Sequence, residues 1–144
     1  MNLNDALNDE AKRASITEGV CRLVDEEVGK QRGLSGVAVK TGYKLVQGVK
    51  PGFVRDVVRV LLPEFAAALE PFREQAVTQG QSVGAYFSAH RQEVAEALLA
   101  VTDARVQSSE HGSIKGAYRK LRGSALKNVQ SAVPGLGRII EDHA

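Results

Sequence analysis

The sequence predicts an all-α fold, a single compact domain of about six to seven helices, several of them broken by proline or glycine. Apolar residues recur at three/four spacing almost throughout the chain, and strand-like alternation is nearly absent. Aromatics are scarce, with four Phe, three Tyr and no Trp, while Ala, Val and Leu are plentiful, which suits a core of small aliphatic contacts between close helices. The 144 residues, 43% hydrophobic and 25% charged, have the composition of an ordinary globular domain. A chain of this length buries about two thirds of its unfolded surface and needs neither disulfide nor metal to be stable.

A first helix is expected from Asn4 to about Ala14, with residues 1–15 loosely attached to the rest. Ser15 and Glu18 have the form of a capping box, which starts a second helix with Ile16, Val20, Leu23, Val24 and Val28 facing inward. The glycine-rich QRGLSG, 31–36, is a turn, and the third helix that follows ends at KPG, 50–52, because Pro51 disfavours a helical residue before it. FVRDVVRVLL, 53–62, is a helix, since Val54, Val57, Val58, Leu61 and Leu62 keep helical spacing and a lone strand would have no partner. Pro63 and Pro71 suit helix starts, with Glu64 and Glu74 in the following turns, so 63–79 is a kinked or broken helix of its own. After a polar turn, TQGQS at 78–82, residues 83–108 hold a short helix around Tyr86 and Phe87 and a long one with Val94, Leu98, Val101 and Thr102 on one side. A basic helix from Ser113 to Ala132 is stopped by Pro134, where PGLG, 134–137, makes a turn before a short tail with Leu136, Ile139 and Ile140.

Charge is uneven along this plan although the net charge is only +2. Residues 1–27 carry three basic and seven acidic groups, residues 28–60 seven basic and one acidic, residues 61–110 three basic and seven acidic, and residues 111–140 six basic and none acidic. Alternating segments of this kind serve either as complementary helix faces within the fold or as an anion-binding surface.

The third helix sharpens that choice. On a wheel of about 100° per residue, Leu34, Ala38, Val39, Gly42, Leu45, Val46 and Val49 share one face; Lys40, Lys44 and Gln47 lie opposite, and Tyr43 and Lys50 stand on a flank. Glycine costs a helix roughly 1 kcal/mol against alanine, and close helix packing at Gly42 offsets that cost. VKTGYKLVQG, 39–48, is echoed by IKGAYRKLRG, 114–123, aligning Tyr43 with Tyr118, Lys40 with Lys115 and Lys44 with Arg119. Duplication and chance likeness between two basic amphipathic helices account for the echo equally well. If the helices pack as a pair, Gly42, Tyr43 and Tyr118 mark the close packing, and Lys40, Lys44, Lys115, Arg119 and Arg122 form one anion-binding surface.

Sites of other chemistry are thinly represented. His90 and Glu93 have an (i, i+3) spacing that can meet a metal, but a di-iron bundle needs that element twice with further carboxylates, and the other histidines, His111 and His143, supply no repeat. Phosphate-loop and dinucleotide patterns are missing. Cys21 sits among Val20, Leu23 and Val24 and reads as a buried small hydrophobe. No cofactor, metal or catalytic residue is therefore assigned. The opening MNLNDALNDEAKR lacks the apolar stretch of a secretory signal, and no run approaches the roughly 20 apolar residues of a membrane span, so a cytoplasmic location is expected.

SGVAVKTGYKLVQGVKPGFV, LLPEFAAALEPF, VAEALLAVTDAR and the basic helix ending in AVPGL together resemble a family of small bacterial, chiefly actinobacterial, proteins without known activity, from about residue 16 onward. The resemblance implies a free-standing intracellular protein and brings no functional residue. The expected function is a non-enzymatic helical interaction module, with a protein partner or a second copy of itself as the ligand. The alternative is an anion-binding protein whose basic helices contact nucleic acid or an anionic membrane surface.

Overall fold

A computed structural model describes residues 3–31, 33–109 and 112–143, apart from the side chains of Leu34, Ser35 and Ser113. Arg32, the inward placing of Leu34 and the histidine at position 111 lie outside the described residues, and of the turn expected over QRGLSG, residues 33–36 are already the first turn of α3. Among the described residues there are seven helices and no strand: α1 (Leu3–Leu7), α2 (Glu10–Gly29), α3 (Gly33–Gln47), α4 (Phe53–Thr78), α5 (Val83–Ala89), α6 (Arg91–Gln107) and α7 (Gly112–His143).

The N-terminal part departs from expectation. The second helix starts at Asp9, whose side chain accepts the Lys12 N–H at 3.1 Å, so no cap is needed at Ser15, which lies one and a half turns inside α2. Nor is the first helix loose: Leu3, Ala6 and Leu7 are buried, and the Leu3 N–H donates to Glu70 Oε2 of α4 at 2.9 Å.

The prolines are also read differently by the fold. Residues 53–79, expected as two helices, form the single α4, and α7 runs unbroken through Pro134 and the supposed PGLG turn. A proline inside a helix leaves the carbonyl four residues earlier without its donor. For Pro63 that carbonyl belongs to Arg59, and it accepts a hydrogen bond from Arg13 Nη2 of α2 at 3.0 Å. A side chain from a neighbouring helix thus replaces the missing backbone donor.

The core lies where α1, α2, α4, α5, α6 and α7 converge, on Leu62, Leu69, Phe87, Val94 and Val133, with Phe72 meeting Phe87 edge-on at 6.3 Å between ring centres. Along its length of about 48 Å, α7 changes neighbours. Its first half meets α3 and α6, and its second half meets α2 and α5, where Gly135 packs on Leu23 and Gly137 on Gly84. A Cβ at Gly137 would lie 2.9 Å from the Gly84 Cα, so the two helices touch backbone to backbone; beside this contact Glu141 accepts the Gly84 N–H at 2.6 Å.

Candidate functional site: the α3–α7 pair and the hollows beside it

The two helices of the sequence echo pack against each other. Gly42 faces α7 so closely that a Cβ there would lie 2.9 Å from Leu121 Cγ and 3.2 Å from the Ala117 carbonyl oxygen. The aligned tyrosines hold equivalent posts. Tyr43 donates its hydroxyl hydrogen to Asp25 of α2, and Tyr118 donates to Asp103 of α6 while lying 2.8 Å from the Thr102 hydroxyl. Each ties its helix to the long helix before it.

The electrostatics hold these hydroxyls as donors. Burial, and then the neighbouring carboxylate, raise Tyr43 well above the ordinary tyrosine value and push Tyr118 up to about 12. Asp103 is held low by the Tyr118 hydroxyl and then by Arg122. At neutral pH both tyrosines are therefore protonated struts, with no tendency to act as bases.

The expected anion surface does not assemble. Arg122 is engaged by Asp103, with Nε at 3.0 Å and Nη2 at 3.3 Å from its two oxygens. Lys40 and Lys44 flank Gly42 at two residues on either side, about 200° around the helix, so they point away from α7. Lys115 and Arg119 flank Ala117 in the same way and point away from α3. The two basic rows stand back to back across the helix contact. All four of these cations are exposed and have no ion-pair partner among the described residues.

The outer face of α3 also carries residues that the sequence reading missed. Val37 is 63% exposed and lies within about 60° of Lys40 and Lys44 around the helix, while Leu45, 47% exposed, stands on the flank about 100° from Lys44. Leu45 was expected inward, but the buried arc is centred on Val39, Gly42 and Val46, and Leu45 falls outside its edge. The readable signal was the spacing of Val37, three residues before Lys40 and seven before Lys44, which puts it on the lysine side.

Two hollows adjoin this pair. One, of about 230 Å³, lies among α1, α2, α4, α6 and α7 and is partly open to solvent, and every side chain lining it is hydrocarbon except Thr102. The other, of about 550 Å³, opens between α3, α4, α6 and α7 over Phe53, Val57, Val60 and Val106, and Lys50, Asp56 and Arg105 are among its lining residues. Val24 and Thr102 line both hollows.

Elsewhere His90 has structural partners, while the buried Glu27 Oε2 has none among the described residues. The His90 ring stacks on Tyr86 at 4.0 Å, and its Nδ1 lies 2.9 Å from the Tyr86 carbonyl oxygen at the α5–α6 junction. Burial raises the Cys21 thiol above its ordinary value. Among the described residues no group of three or more His, Cys, Asp or Glu side chains converges as metal ligands, and no helix is long and apolar enough to cross a membrane.

The pattern of DUF6918, a family of unknown function, matches residues 3–144. The chain belongs to this family. The DUF6918 match begins within α1, about a turn and a half of helix before α2 starts, and so takes in the N-terminal segment as well as the four stretches that carry the resemblance in sequence. No curated protein and no solved structure is significantly similar to this DUF6918 chain.

Proposed function

We propose that this DUF6918 member is a non-enzymatic interaction module of the bacterial cytoplasm, and that it docks a protein partner through the outer face of α3. One observation carries the reading: Val37 is exposed beside Lys40 and Lys44, with the exposed Leu45 on the adjoining flank, on a helix that bears no acidic residue. Exposed apolar groups edged by like charge favour a partner with carboxylates beside a small apolar centre, because charge steers the encounter and apolar contact holds it.

The test places a photo-crosslinking residue at Thr41, between the two lysines, in expressing cells. The expected result is a discrete adduct with a protein of acidic surface. It should fall about tenfold on Val37→Asp or on Lys40→Glu with Lys44→Glu, substitutions that cost the fold no more than about 0.5 kcal/mol. Equal adduct yield in the folded variants would remove the α3 face as the docking surface, and an adduct of the chain with itself would make the partner a second copy.

A second reading rests on α7. Lys115, Arg119, Lys120 and Lys127 share its exposed arc, and residues 111–140 include no acidic group. This row suits a polyanion. Binding to duplex DNA, single-stranded RNA or anionic liposomes that weakens steeply with salt and is lost on Lys115→Glu with Arg119→Glu would support it; no binding at low salt would dismiss it.

A further inference from the structure

The core cavity raises a question that the α3 surface does not touch. Protein interiors are close-packed, and an opening lined by hydrocarbon holds no water because it offers water no partners. Its one polar side chain, Thr102, has its hydroxyl 3.1 Å from the Leu99 carbonyl and 2.8 Å from the Tyr118 hydroxyl, so its single hydrogen already has an acceptor. An occupant must therefore be apolar where it lies in the core. Apolar cavities of about 150 Å³ accept benzene, and sites for drug-sized molecules begin near 300 Å³. A volume of about 230 Å³ lies between them and suits one slender hydrocarbon chain.

The outer hollow supplies what the core lacks. Val24 and Thr102 line both hollows and stand as the wall between them, so a chain that reaches from one to the other once these side chains part has one end in hydrocarbon and the other beside Lys50 and Arg105. Those two cations are half-exposed and each has a single carboxylate partner, Asp56 at 3.1 Å and Glu64 at 2.7 Å. Pairs this exposed hold weakly and can exchange one carboxylate for another.

We infer that the two hollows form one binding site for a single-chain amphiphile with an anionic head, a fatty acid in its simplest form. The hydrocarbon fills the core cavity, and the carboxylate emerges past Val24 and Thr102 to meet Lys50 and Arg105. This site is independent of the α3 docking face, and neither stands or falls with the other.

The experiment titrates the purified full chain, stripped of lipid, with the fluorescent fatty acid cis-parinaric acid and displaces it with dodecanoate, dodecanol or acetate. Saturable fluorescence displaced by dodecanoate and not by acetate is expected. Ala66→Leu and Ala132→Leu put added carbon into the cavity and should each weaken binding about tenfold with a melting temperature no lower than that of the parent. Two such variants keep the test decisive if one of them fails to fold. Lys50→Ala with Arg105→Ala should weaken dodecanoate about threefold or more and leave dodecanol unchanged. Absence of saturable binding, or undiminished binding in a folded cavity-filling variant, would overturn the site. Equal response of dodecanoate and dodecanol to the loss of both cations would overturn the placing of the head group.

Discussion

Gly42 and Gly137 sit where helices touch, whereas Gly116 and Gly123 face open space on α7. Opposite outcomes follow from the same change. Gly137→Ala drives a methyl into the Gly84 backbone and should cost about 1–3 kcal/mol, and Gly42→Leu, against Leu121 and Ala117, should cost about 3 kcal/mol or more. Gly116→Ala and Gly123→Ala should each stabilise by up to about 1 kcal/mol, because a helix interior favours alanine. Urea melts of the four variants check the order. The tyrosines give a pH signature. A hydroxyl whose folded pKa is raised contributes stability that is complete below the unfolded value near 10 and drains away as pH climbs through the folded value. Denaturation midpoints should therefore hold near pH 8 and drop near pH 11, with Tyr118→Phe lowering the first by about 1 kcal/mol and shrinking the drop. Asp103, depressed by Tyr118 and then Arg122, acts at the other end: its contribution is present above the unfolded carboxylate value and is lost as pH falls through the folded one.

α4 shows how a proline is housed within a helix. If Arg13 stands in for the donor that Pro63 lacks, the two positions must be coupled. Arg13→Met should cost about 1 kcal/mol alone and nearly nothing in a Pro63→Ala background, where the residue 63 N–H returns to the Arg59 carbonyl. A double-mutant cycle measures this directly. The same helix marks the limit of what was legible in the sequence. The run from Phe53 to Leu62 was readable as helix from its spacing, as were the short and long helices around Tyr86 and Val94. What defeated the reading was continuity: Pro63 looks locally like a helix start and Pro134 like a stop, and only tertiary partners make it favourable to continue through them. The packing of Gly42 was inferable from its place on an apolar face, and so was the outward direction of Lys40 and Lys44 opposite it. Which face of α7 meets α3 was not, so the turning of Lys115 and Arg119 to the far side needed the tertiary structure. The core hollow was equally invisible, since the residues around it are those that a filled core would use.

At the scale of the whole molecule, α7 is the common support: α2, α3, α5 and α6 all rest on it. A chain stopped after residue 111 should lose most of its helical circular dichroism signal, because short helices without tertiary partners are marginal in water. Cross-helix ion pairs such as Arg55 with Glu18 and Arg105 with Glu64 are half-exposed and carry little of the load. Melting should thus move by only a few degrees between low and high salt, while polyanion binding by α7 would change by orders of magnitude. The order of elements along the chain also sets a schedule. α2 and α3 leave the ribosome long before α7 is made, and at about 5–20 residues per second the intervening segment takes on the order of several seconds to synthesise. Throughout that interval the Gly42 face of α3 and the Leu23 face of α2 have no α7 to cover them. During those seconds these apolar faces have only water or whatever else shields helices in the cell to meet, so the order of synthesis leaves the α7-facing surfaces of α2 and α3 to be covered last.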